Sequence, residues 1–102
     1  MPINTTPLTL LTIVAEVAVK ERLIDDLQTA GAKGYTLTEV EGEGSRHRRV
    51  SDLLGANIKL ETVVSAAVAD KLMTLLAGEY FPNYAVIAYT SVVHVIRGEK
   101  YV

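Results

Sequence analysis

Apolar and β-branched side chains run almost unbroken from Leu8 to Val14 (LTLLTIV). That pattern predicts a strand covered on both faces at the centre of a sheet. The period then changes. Val19, Leu23, Leu27 and Ala30 recur at i, i+4, i+8 and i+11, with Ile24 widening the stripe and Lys20, Glu21, Arg22, Asp25, Asp26 and Gln28 turned away. This predicts an amphipathic helix from about Glu16 to Ala30, ended by Gly31 at its C′ position. Tyr35–Glu41 (YTLTEVE) alternates with a period of two, as does the start of Asn57–Val64 (NIKLETVV), where Ile58 and Leu60 point inward and Lys59 and Glu61 outward. Ser65 is placed to cap a second helix, from about Ala66 to Tyr80, whose stripe is Val68, Leu72, Leu75 and Leu76. Gly78 and Pro82 mark its end, and Ala85–Ile96 (AVIAYTSVVHVI) reads as a last long strand before a polar tail, RGEKYV.

The order β-α-β-β-α-β within about 95 residues matches the split βαβ, or ferredoxin-like, arrangement of class α+β: a four-stranded antiparallel sheet with both helices on one face. The second face then needs covering, and Leu37, Ile58, Val86 and Tyr89 are expected to help fill it in an oligomer. A chain of 102 residues suits a single domain, spanning 1–102.

Composition changes the picture at one place. The net charge is −2, which excludes a generally basic nucleic-acid binder. Against that background the stretch GEGSRHRR (Gly42–Arg49) concentrates Arg46, His47, Arg48 and Arg49 behind two glycines. Arginine forks suit phosphate oxygens, and Ser45 adds a hydroxyl and an N–H, although a solvated surface loop explains the same composition. GAKGYT (Gly31–Thr36) brings two further glycines, Lys33 and Thr36 together, where backbone N–H groups can approach an anion or a purine edge; a plain helix-to-strand turn remains the alternative. It is not a Walker loop, because it precedes a strand and lacks the required spacing. Both glycine segments flank one strand, so both can reach a neighbouring subunit's cleft.

Other chemistries find little support. There is no cysteine, and His47 and His94 are the only histidines, without metal-ligand spacing. Glu39, Glu41 and Glu43 define no acid–base pair, and no nucleophile elbow occurs. Tyr80, Phe81, Tyr84 and Tyr89 cluster near the last strand, as packing residues or, less simply, as base-stacking ones. An RNA-binding βαββαβ module is excluded because its third strand would need paired aromatics. No run approaches the ~20 apolar residues of a membrane span, nor is there a secretory leader pattern, so a cytoplasmic protein is expected.

GYTLTEVEGEG (Gly34–Gly44), the GxGSR at Gly42–Arg46, ANIKLE (Ala56–Glu61) and YFPNYAVIAY (Tyr80–Tyr89) resemble the PII superfamily of trimeric signalling proteins over nearly the whole chain. They look closest to the branch tied to inorganic carbon, SbtB and the carboxysome-associated PII proteins. The resemblance implies a PII-like homotrimer with adenine nucleotides (AMP or ADP, with ATP or cyclic AMP as further choices) in clefts between subunits, and a T-loop at about 42–55. By position, Gly34, Tyr35 and Thr36 would line the adenosine, and Gly44, Ser45, Arg46 and Arg49 would meet ribose or phosphate. Tyr84, Ala85 and Val86 occupy the phosphate-facing segment, with Lys33, Arg97 and Gly98 as further contributors to nucleotide binding. No catalytic residue, metal or tightly held cofactor is implied.

Departures narrow the branch. Tyr80–Tyr89 lacks a glycine- and lysine-rich loop, which argues against nitrogen signalling through ATP and 2-oxoglutarate. No tyrosine stands between Gly42 and Gly55 for uridylylation, and there is no cysteine for an SbtB-type redox hairpin. The expectation is therefore a non-enzymatic, carboxysome-associated regulator of the carbon-concentrating mechanism, with bicarbonate as co-ligand. Its partner would be a bicarbonate transporter or carboxysome-related protein engaged through the T-loop, with membrane association only indirect. The competing reading is a metal-handling trimer of the CutA type or a small ferredoxin-like enzyme.

Overall fold

The computed structural model describes residues 3–41 and 57–102. Strand β1 (Thr6–Glu16) leads through a 3-10 turn (Val17–Val19) into helix α1 (Lys20–Ala30). Strands β2 (Thr36–Val40) and β3 (Asn57–Val64) follow, then helix α2 (Ala66–Leu75), a π turn (Leu76–Tyr80), strand β4 (Val86–Val95) and a final 3-10 turn (Gly98–Lys100). The four strands form one sheet in the order β2-β3-β1-β4, and every neighbouring pair is antiparallel. This is the ferredoxin-like α+β sandwich, in which each helix crosses over the strand lying between the two it connects.

Helix boundaries follow local chemistry. Ser65 caps α2, its hydroxyl oxygen accepting the Val68 N–H at 3.2 Å. Replacing Ser65 by alanine is expected to lower stability by about 1 kcal/mol, read as a shift of the urea midpoint at unchanged slope. Gly31 ends α1 in the left-handed region at φ 113°, and the Ala32 N–H donates back to the Leu27 carbonyl at 3.0 Å. That Schellman-type closure strongly favours glycine. The expected helical start at Glu16 moves, because Glu16 is still in register with Asn57 as the last residue of β1. Its carboxylate accepts the Ala85 N–H at 2.7 Å.

The core lies between the helices and one sheet face. Leu11, Ile13 and Ala15 of β1 and Ile58 and Leu60 of β3 meet Val19, Leu23 and Leu27 from α1 and its lead-in turn. Leu72, Leu76 and Tyr80 come from α2 and the π turn. Ile24, Leu37, Val68, Leu75, Val86 and Ala88 pack around this cluster. Tyr80 is fully buried yet satisfied: its hydroxyl donates to Asp26 Oδ2 at 2.5 Å, and the Arg22 guanidinium sits 4.5 Å from its ring centroid. An exposed Arg22–Glu79 pair at 3.4 Å adds little.

Pairing parity corrects one expectation about the second face. Ile58 and Val86 both lie opposite Ala15, and Leu37 lies opposite Leu60, so all three are on the helix-covered face. Only Tyr89, opposite Thr12, is on the uncovered one. A side chain's face is set by register, and a one-residue difference moves it to the other side. On the uncovered face Ile87 and Tyr89 remain 59% and 52% exposed.

Candidate ligand cleft at the start of strand β2

Where α1 hands over to β2, the chain runs through Lys33, Gly34 and Tyr35, all exposed. The Gly34 carbonyl is fixed from below, accepting the Thr62 hydroxyl of β3 at 2.6 Å. Thr62 is buried, so this bond ties the strand entry to the sheet at a site where an unmade polar contact would be costly. Around this anchor lies a cleft of about 280 Å³ lined by Leu10, Gly34, Tyr35, Thr36, Glu61, Thr62, Val63 and Tyr101. Leu10 faces Val63, and Thr36 faces Glu61, in the sheet register, so the cleft sits on the uncovered face. Its chemistry is mixed: apolar Leu10 and Val63, two phenol rings, hydroxyls, one carboxylate and accessible glycine backbone. Such a lining suits a flat heterocycle carrying polar substituents.

The residues singled out from sequence divide into four groups. Gly34, Tyr35 and Thr36 line the cleft together, with Lys33 immediately before them. Tyr84, Ala85 and Val86 stand at the other end of the sheet, beside Glu16, roughly 20 Å further along β1 by strand rise. Tyr84 packs against Tyr80 with ring centroids 6.1 Å apart, and Val86 packs against the core. Within one chain, therefore, these residues do not face the cleft. Glu41 and Asn57, which bound the 42–56 segment, belong to the same end, since Asn57 pairs with Glu16 and Val40. Gly44, Ser45, Arg46 and Arg49, like the T-loop expected at 42–55, lie outside the described residues. Arg97 is exposed with φ 62°, and Gly98 is buried against Thr6, where an added Cβ would come within 2.7 Å.

Sequence reasoning missed Leu10, Glu61, Thr62, Val63 and Tyr101 as cleft residues. Tyr101 had a signal, being an aromatic side chain in an otherwise polar tail. Among the described residues no group of three or more His, Cys, Asp or Glu side chains comes together to hold a metal. No described helix is long and apolar enough to cross a membrane.

A family model described as nitrogen regulatory protein P-II matches residues 8–100. The chain belongs to the PII family. A solved structure of a protein described as PII-like and signalling, from Thermus thermophilus, is 53% identical. The match covers 98% of this chain and 100% of that one, with a TM-score of 0.86. CPII from Thiomonas intermedia, bound to ADP and bicarbonate, is 28% identical over 99% of this chain and 100% of its own, also at TM-score 0.86. The same CPII bound to ADP, AMP and acetate matches at 27% identity and TM-score 0.84, covering 97% of this chain and 98% of its own. These PII-like neighbours share the four-stranded sheet and its two helices over essentially the whole length.

Proposed function

We propose that this chain is a non-enzymatic PII-type signalling protein that binds ADP or AMP, with bicarbonate as co-ligand, in clefts between the subunits of a homotrimer. The cleft on the uncovered sheet face carries this reading: it gathers the glycine backbone and threonine expected to hold adenosine. PII-like proteins are trimers, and the exposed Ile87 and Tyr89 on that same face are suited to burial against a neighbouring copy. A trimer also offers a way to reunite the two ends of the sheet. Tyr84–Val86 and the root of the 42–56 segment, distant from the cleft in one chain, would be supplied to it by the next subunit. The whole-length similarity to CPII, seen with ADP and bicarbonate, supports the choice of ligands.

In this reading Arg46 and Arg49, with Ser45 and Gly44, meet the phosphates, while Lys33, Arg97 and Gly98 contribute from the cleft side. Nucleotide occupancy would change the affinity of the segment at 42–55 for a partner, and the partner must change nucleotide affinity reciprocally. A bicarbonate transporter or carboxysome-related protein in the cytoplasm is the partner we infer, which makes the protein a regulator of inorganic carbon uptake. No observation favours the metal-handling or enzymatic alternative.

Calorimetric titration with AMP, ADP, ATP and cyclic AMP, each with and without bicarbonate, tests the reading. ADP or AMP is expected to bind, bicarbonate to alter the affinity, and Arg46→Ala to weaken ADP about 10- to 100-fold through a lost charge-assisted contact. Binding indifferent to bicarbonate would move the sensor off carbon. Failure of every adenine nucleotide to bind would sink the site.

A further inference from the structure

Tyr101 reaches the cleft from the C-terminal turn that also carries Arg97 and Gly98. Strand β4 ends opposite the first residue of β1, with Val95 paired to Thr6. Arg97 then adopts φ 62°, a left-handed conformation that non-glycine residues visit rarely and that turns the chain back toward the sheet. Gly98 lands directly on Thr6, with no room for a Cβ. A single 3-10 turn follows: the Lys100 N–H donates to the Arg97 carbonyl and the Tyr101 N–H to the Gly98 carbonyl, each at 3.0 Å. This hook sets Tyr101 half-buried on the cleft, whose lining it shares with Leu10, Val63 and Gly34–Thr36.

The ring has no structural task that accounts for such placement. Tyr101 makes no side-chain hydrogen bond and no ring contact among the described residues, in contrast to Tyr80, which makes both. Tyr35, on the same cleft, is likewise without a ring partner and 43% exposed. An aromatic ring without a packing partner, in a cleft that also offers apolar side chains and glycine backbone, suits a planar base that stacks.

We propose that Tyr101 is a binding residue of this cleft, stacking on the purine base of the bound adenine nucleotide, with the Arg97–Lys100 hook as the device that holds it there. The assignment rests on the nucleotide reading above and adds a residue to it. It gives the C-terminal turn a task beyond what Arg97 and Gly98 contribute, so that displacing the hook weakens binding without touching the sheet.

Three variants test it, each titrated with ADP by calorimetry beside the wild-type chain. Tyr101→Ala is expected to weaken ADP about tenfold, and Tyr101→Phe, which keeps the ring, to stay within about twofold of wild type. The chain has no tryptophan, so Tyr101→Trp supplies a single indole, excited selectively at the red edge of tyrosine absorption, whose emission ADP is expected to quench by stacking. Tyr101 stands outside the hydrophobic core, and circular dichroism with thermal melts checks that the variants fold alike. Wild-type affinity in Tyr101→Ala overturns the proposal while leaving the nucleotide site standing. Equal losses in Tyr101→Phe and Tyr101→Ala assign the effect to the hydroxyl and overturn stacking, as does Trp emission unchanged by ADP that calorimetry shows to be bound. A wild-type chain that binds no ADP overturns this proposal and the functional reading together.

Discussion

Replacing Leu60 by alanine is expected to lower the free energy of unfolding by about 3–4 kcal/mol, the mid-range cost of a large-to-small change at a fully buried leucine. Leu60 is 0% exposed and sits opposite Ile13 on β1 and Leu37 on β2, at the point where three strands and the helix layer meet. A strand backbone paired on both sides cannot shift to close the space left behind, so the cavity persists. Urea denaturation followed by circular dichroism measures the loss. The protein concentration must be held fixed, because an oligomer's apparent stability depends on it. A loss below about 1 kcal/mol would mean that the site collapses and that the sheet is less rigid than its register implies.

Tyr80 is expected to be the tyrosine that resists alkaline ionisation. Its phenol titrates well above the ordinary tyrosine range, chiefly because burial disfavours the phenolate. The hydrogen bond to Asp26 and that carboxylate's charge push the same way, while the nearby Arg22 guanidinium opposes them. The sign of the linkage follows. With the folded value raised, the stabilisation is complete below about pH 10, where the unfolded chain's tyrosines also keep their protons. Above that pH the unfolded chain releases a proton that the native state retains, and stability falls as pH rises, by about 1.4 kcal/mol per unit for one group. Tyr80→Phe is expected to cost about 1–3 kcal/mol at neutral pH, because it leaves the Asp26 carboxylate without its donor. It should also flatten the alkaline slope. Difference absorbance near 295 nm between wild type and Tyr80→Phe should show the Tyr80 signal appearing only on unfolding. A Tyr80 signal that appears before unfolding would place the side chain outside the core.

Much of the architecture was written in short-range pattern. The stripe of Val19, Leu23 and Leu27 is buried as its 3.6-residue period requires, and β3 spans the eight residues its alternation marked. Ser65 and Gly31 sit at the cap positions their chemistry favours. The second helix is the exception in part: its α-helical turns stop at Leu75 and a π turn carries the chain to Tyr80, closed by the Phe81 N–H donating to Leu76 at 3.0 Å. Leucine and alanine spacing does not distinguish that extra residue from continuing helix.

The candidate site was legible only as fragments. Gly34, Tyr35 and Thr36 stood out because glycine beside a strand exposes backbone, and the structure sets them on a cleft. Nothing in their neighbourhood points to Tyr101, 66 positions downstream of Tyr35. Nor does local pattern reveal that Thr62 holds the Gly34 carbonyl or that Glu16 holds the Ala85 N–H.

By itself, then, the sequence determined the elements and their order, because helix and strand periods, caps and turn residues act within a few positions of one another. It also shows the cationic run at Arg46–Arg49, which is a matter of side-chain charge alone and is what our proposal of anion binding starts from. Tertiary structure decided which face each strand residue meets, since parity depends on register with a distant strand. That is why Ile58 and Val86 went to the core and Tyr89 to the open face. It likewise decided that the C-terminal hook returns to the start of β2, because the antiparallel pairing of β4 with β1 returns the chain to the Thr6 end of the sheet.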